Sequence, residues 1–229
     1  MATMQERIDL VAADGHRLAA NLVLPRTKAR GAVVLLQEIF GVNSHIRMLA
    51  DGFAAEGYLV IAPALFDRVE RSVELGYGAD DIQRGRALKD ACPADTALLD
   101  IQAAIQFARN KLGSAGRVAV VGFCWGGLLS WLAACEFDTL AASVPYYGGG
   151  IPEHLERAPR CPVLMHFGER DAHIPLAGVE ALRQAHPGVG VHLYPAGHGF
   201  NCDQRGSFDA ASATLARQRT LTFLREHIG

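Results

Sequence analysis

Arg117-Val118-Ala119-Val120-Val121-Gly122-Phe123-Cys124-Trp125-Gly126-Gly127-Leu128-Leu129-Ser130 is the stretch that decides the fold. Its first half is a short apolar run of the length of a buried parallel strand. The run breaks at Gly122 and gives way to Leu128, Leu129, Trp131 and Leu132, residues suited to a packed helix. Gly122-x-Cys124-x-Gly126 has the spacing of a nucleophile elbow, G-x-S-x-G, with cysteine in place of serine. The spacing has a steric origin. A nucleophile at the tip of so sharp a turn takes a strained backbone conformation, and the glycines on either side let neighbouring backbone approach without a Cβ clash. The next helix directs its free N–H groups and positive dipole end at the sulfur, which favours thiolate and stabilises an oxyanion nearby. The pentapeptide alone fits a buried cysteine in an ordinary glycine-rich turn equally well, so the flanking chain has to separate the two.

The flanks alternate strands and helices. Apolar runs at Ala32–Leu36, 58–63, 140–146, 162–168 and 191–194 have strand length. Helices are expected from Asn43 or Ser44 through Ala54, with Gly57 as the stop, over Ala94–Leu112, over 176–186, and from about Ser207 to His227. Ile8-Asp9-Leu10 and Leu18 through Leu24 flank the turn sequence Ala13-Asp14-Gly15-His16, so the chain opens with a β-hairpin that Pro25 ends. These elements predict an α/β fold with a mostly parallel sheet covered by helices on both faces, as one domain over 1–229. From about 64 to 93 the sequence is irregular and long for a connection, the mark of a lid or binding segment, with part of it helical over 80–91.

In an open α/β sheet, ligands bind beyond the C-terminal ends of the strands. Glu38, Cys124, Asp171 and His198 fall at such ends. Cys124, Asp171 and His198 also follow the order nucleophile, acid, histidine of an α/β-hydrolase. In these roles His198 takes the thiol proton and later delivers one to the leaving group, and Asp171 fixes the imidazole. The backbone N–H groups of Ile39 and Trp125 are the expected oxyanion donors. Glu38 is either a solvated loop residue or a buried acid competing for the cysteine's proton. His173 shares its short loop with Asp171 and is the weaker base. His166 lies in a strand and suits the core. His16, His45, His154, His186, His192 and His227 have surface or turn contexts. Cys92, Cys135, Cys161 and Cys202 are most simply small hydrophobes, with Cys202 near the rim of the site.

Composition narrows the classes of function. In 229 residues, hydrophobic side chains make up 50%, charged ones 20%, and the formal net charge is −2. That balance suits neither disorder nor a polyanion-binding surface, so no nucleic-acid partner is expected. No apolar run approaches the ~20 residues that span a bilayer, and the N-terminal residues lack a secretory plan, so no membrane partner and a cytoplasmic location are expected. Five cysteines without a C-x-x-C pair fit a reducing compartment. The nine histidines form neither H-E-x-x-H nor H-x-x-x-H, so no metal site is expected.

Gln37-Glu38-Ile39-Phe40-Gly41, Gly122-Phe123-Cys124-Trp125-Gly126-Gly127, Gly168-Glu169-Arg170-Asp171 and Gly197-His198-Gly199-Phe200 together resemble the dienelactone hydrolase family over nearly the whole chain. The resemblance implies an α/β-hydrolase fold, a Cys124, His198 and Asp171 triad, and no cofactor. It implies that Glu38 helps hold the cysteine as an unreactive thiol and accepts its proton when substrate binds. It further implies a small-molecule ester or lactone substrate, an anionic enol lactone among them, opened through an acyl-cysteine intermediate that water cleaves. Arg84, with Arg86 as its neighbour, is similar in placement to the family's first carboxylate-binding arginine. Arg205 is the nearest match to the second, because Cys202 stands four residues after His198. Two rival readings are a general carboxylesterase or thioesterase and a non-catalytic, ligand-binding or thiol redox-sensing protein. The complete set of Glu38, Asp171 and His198 disfavours the last.

Overall fold

Residues 4–113 and 116–229 are described by a computed structural model. The stretch around Cys124 lies at its centre. Strand β5 (Val118–Phe123) is buried along its whole length, as its apolar sequence requires, and helix α4 (Trp125–Glu136) begins one residue after Cys124. Around β5 an eight-stranded sheet assembles from β1 (Met4–Val11), β2 (Arg17–Leu24), β3 (Ala32–Leu36), β4 (Leu59–Pro63), β6 (Ala142–Tyr146), β7 (Leu164–Gly168) and β8 (Gly190–Tyr194). Their spatial order is β1-β2-β4-β3-β5-β6-β7-β8. The pairs from β4 to β8 are parallel, and the opening hairpin joins antiparallel, β1 to β2 and β2 to β4. β3, β4, β5, β6 and β7 are buried at every position, the signature of strands covered on both faces.

The cover comes from α1 (Ser44–Ala55), α3 (Ala94–Leu112), α4, α5 (Leu176–Ala185) and α6 (Ala210–Ile228). α1 and α3 both pack on β3 and β4 without being neighbours, so they lie on opposite faces of the sheet. α3 packs beside α4, and α6 is tied to α1 by Arg217, which donates to Gly52 O at 3.1 Å, and by Arg225, which reaches Glu56 at 3.1 Å. No helix among the described residues is long and apolar enough to cross a membrane.

The expected elements appear, with three differences. β1 and β2 are longer than the apolar residues alone marked, because pairing runs the full register from Met4 with Leu24 to Val11 with Arg17. The last helix starts at Ala210 rather than near Ser207, since the Asp209 carboxylate accepts from Ser212 N at 2.9 Å and fixes the first turn there. The segment 64–93 is built: a 3₁₀ turn at Leu65–Arg68, a bridge of Glu74 to Gly41, and helix α2 (Ala79–Asp90).

Arg68 anchors this segment. Its guanidinium donates to Asp100 of α3 at 2.7 Å and to Asp14 in the hairpin turn at 2.8 Å, and the Asp100 side chain is fully buried.

Candidate active site

Cys124 sits between β5 and α4 with φ 55° and ψ −112°, a left-handed backbone that a side-chain-bearing residue adopts only under constraint. The constraint is the close approach of neighbouring backbone. A Cβ at Gly122 would lie 1.9 Å from Gly126 O, and one at Gly126 would lie 2.6 Å from both Leu36 O and Gln37 O. Cys124 N donates to Tyr146 O and Gly126 N to Gln37 O, each at 3.0 Å, which ties the turn to β6 and to the end of β3.

Two loops deliver the partners. His198, on the loop after β8, places Nε2 3.2 Å from Cys124 Sγ and Nδ1 2.8 Å from Asp171 Oδ2. Asp171, after β7, accepts His173 N at 2.8 Å through its other oxygen, so both carboxylate oxygens are engaged. Burial disfavours a charged imidazole at His198, but the hydrogen bonds to Asp171 and Cys124 outweigh it and push the pKa up to about 10. The rings of Tyr147 and His173 stand edge-on to His198 at 5.2 and 5.1 Å.

Glu38 is buried rather than solvated. Oε2 accepts from the Tyr77 hydroxyl at 3.3 Å, and Oε1 lies 3.4 Å from Arg205 Nη1. Tyr77 is itself held by Asn43 Nδ2 at 3.1 Å, and burial together with the Glu38 charge keeps its hydroxyl protonated. Arg205 also covers the rings of Phe40 and Tyr77.

Cys124 and His198 open onto a cavity of about 440 Å³, the size of a small-molecule site. Ile39, Trp125, Phe40 and Leu128 give it apolar walls, and Arg86, Lys89 and Arg205 outnumber Glu153, the one carboxylate among the described residues of its lining, so its balance is positive. Ile39 and Trp125, the two residues expected to supply oxyanion donors, both line this cavity. Trp125 opens α4, so its N–H has no partner within the helix. Arg84 is not brought to this cavity. It lies two residues from Arg86 on α2, on another face of the helix, where it is half exposed and paired with Glu70. The face that reaches the cavity carries Ile82, Arg86 and Lys89, spaced i, i+4, i+7.

Several residues stand differently from their sequence contexts. His45 is fully buried rather than at the surface, because Asn43 caps α1 and turns its first helical turn inward. Burial lowers its pKa, with Glu38 and Asp203 opposing that shift. Cys202 lies buried beneath the site rather than at its rim, and burial pushes its thiol up to about 11. Atoms of Glu38, His45 and Cys202 that are able to ligate a metal lie within 4.8 Å of one another. His166 is a core histidine, bonded to the Tyr194 hydroxyl at 2.8 Å and to Thr220 at 3.0 Å. Tyr77 carried no motif, and only the long-range fold joins it to Glu38.

Residues 18–228 match the sequence profile of the dienelactone hydrolase family. A carboxymethylenebutenolidase of Pseudomonas putida is 33% identical over 229 residues, covering 96% of each chain. A Synechocystis sp. protein assigned as a carboxymethylenebutenolidase is 37% identical over 203 residues, 82% of each chain. The crystal structure of a Klebsiella pneumoniae protein assigned as a dienelactone hydrolase superposes with a TM-score of 0.87 at 31% identity, over 99% of this chain and all of the other. The fold is that of the α/β-hydrolases.

Proposed function

The chain belongs to the dienelactone hydrolase family, whose members hydrolyse ester or lactone bonds, and from that premise we propose that Cys124, His198 and Asp171 form its catalytic triad. The observation that carries the reading is the continuous hydrogen-bonded chain from Cys124 Sγ through His198 to Asp171 at the mouth of a cavity. His198 holds the proton drawn from Cys124 as an imidazolium, in keeping with its raised pKa, and the thiolate attacks the substrate carbonyl. The N–H groups of Ile39 and Trp125 receive the developing oxyanion. Collapse expels the enolate or alkoxide, which His198 protonates, and leaves an acyl-cysteine. Water, deprotonated by His198, then releases the acid and restores the thiol. Glu38 is the second acceptor for the cysteine's proton, released for that task when substrate competes for Arg205.

Residues 1–229 act in this reading as one domain, and the segment 64–93 covers the pocket with the α2 face that carries Ile82, Arg86 and Lys89. Arg86, Lys89 and Arg205 suit an anionic substrate, and an enol lactone bearing a carboxylate is the substrate class we favour. The apolar walls of Ile39, Phe40, Trp125 and Leu128 favour a second reading, a neutral ester or thioester.

The test is hydrolysis of cis- and trans-dienelactone beside p-nitrophenyl acetate by the wild type and Cys124→Ala. Lactone turnover that dominates and disappears in the variant is the expected result. Cleavage of the simple ester alone would leave the triad standing and remove the lactone, and turnover that survives Cys124→Ala would remove the nucleophile.

A further inference from the structure

Beneath the pocket, a carboxylate oxygen of Glu38, an imidazole nitrogen of His45 and the thiol of Cys202 lie within 4.8 Å of one another, and all three residues are buried. His45 is the unexplained member. It is fully buried, yet neither ring nitrogen completes a hydrogen bond, and Nδ1 comes only to 3.5 Å from Asp203 Oδ1. Two unused polar atoms in the interior carry a desolvation cost that folding alone does not recover. Nothing in the chain from Cys124 to Asp171 uses them. One nitrogen, one sulfur and one carboxylate oxygen are the mixture that zinc-type cations prefer, whereas calcium and magnesium take shells of oxygen.

We propose that Glu38, His45 and Cys202 form a site for a zinc-type divalent cation, and that its occupancy switches hydrolysis off by withdrawing Glu38. Ligand atoms in a tetrahedral zinc shell stand roughly 3.5 Å apart, so these three close by at most about 1.3 Å to meet the ion. Cys202 releases its thiol proton to solvent as the metal–sulfur bond forms, and His45 binds as the neutral imidazole. Glu38 exchanges Arg205 and Tyr77 for the metal. Its charge and that of the Cys202 thiolate balance the cation, while Arg205 swings free into the pocket. Asp203 stands half exposed 3.5 Å from His45, and water supplies the fourth, neutral ligand. The inhibitory half rests on the catalytic reading of Glu38; the binding half does not.

Cobalt(II), a spectroscopic substitute for zinc, tests binding alone in the Cys124→Ala protein, from which the pocket thiol is gone. One equivalent should bind with a thiolate-to-cobalt charge-transfer band. Adding Cys202→Ala, which trims a single sulfur, should abolish the band, and adding His45→Gln should weaken affinity by at least about ten-fold. No band in the Cys124→Ala protein, or a band that outlives Cys202→Ala, overturns the site. In the wild type, ester turnover should fall in proportion to zinc bound and return with a chelator, while Cys202→Ala keeps its turnover in zinc. Equal inhibition of wild type and Cys202→Ala, or bound zinc without inhibition, overturns the switch. Failure of the hydrolytic reading would show separately, as absence of turnover before any metal is added.

Discussion

Asp171 has no chemistry of its own in the proposed reaction, yet it holds the His198 tautomer through a 2.8 Å bond. Asp171→Asn should therefore fold normally and lose about 10²–10⁴-fold in kcat with little change in KM, measured with a chromogenic ester. The His198 charge also links stability to pH. Its folded pKa stands near 10 against an ordinary 6.5, so below pH 6.5 the native and unfolded states both carry the proton and the stabilisation is fully present. Between 6.5 and about 10 the native state keeps a proton that the unfolded chain has released, and the stabilisation is lost across that window. Urea unfolding of wild type and His198→Gln should show the stability difference shrinking as pH rises through it. A difference constant from pH 6 to 10 would contradict the ion-paired imidazole. Cys124, Asp171 and His198 were legible in the sequence because a sharp turn and a fixed chain order leave local marks. Tyr77 and His45 were not, since their roles arise from packing against Glu38, a residue 39 positions from the first and 7 from the second in sequence.

At the scale of single elements, α2 shows what sequence periodicity can assign. A helix over 80–91 was readable, and on it Ile82, Arg86 and Lys89 share one face while Arg84 does not. Placing Arg84 at the substrate needed only its similarity of position to a family residue, whereas its partner Glu70 was invisible before the chain folded. Arg86→Ala should raise KM for a carboxylate-bearing lactone by about ten-fold or more and leave that for a neutral ester unchanged. Arg84→Ala should leave both unchanged, and steady-state kinetics on the two substrates would decide between them. The 3₁₀ turn before α2 carries the other heavy consequence. Arg68→Ala leaves the buried Asp100 carboxylate unpaired and should cost about 3–5 kcal/mol in urea denaturation. A loss below about 1 kcal/mol would mean that water takes Arg68's place.

Across the whole molecule, the order of strands puts every group of the proposed site at the C-terminal ends of the sheet's strands. β5 supplies Cys124, the end of β3 supplies Glu38 and Ile39, and the loops after β7 and β8 supply Asp171 and His198. The alternation of apolar runs and helices made that architecture readable, because strands buried on both faces tolerate almost nothing polar. The register and length of the hairpin strands were less readable. β1 is exposed at most of its positions, so its residues are set by pairing rather than by burial.

The uneven housing of the thiols has a practical consequence. Cys92, Cys135 and Cys202 are buried, Cys161 is partly covered, and Cys124 alone opens onto the cavity. Burial pushes the Cys161 thiol up to about 11 and makes it the poorer nucleophile, so a small haloacetamide given at one equivalent should label Cys124 first, which peptide mapping of the label checks. The fraction protected by an added compound ranks candidate substrates before any product assay exists.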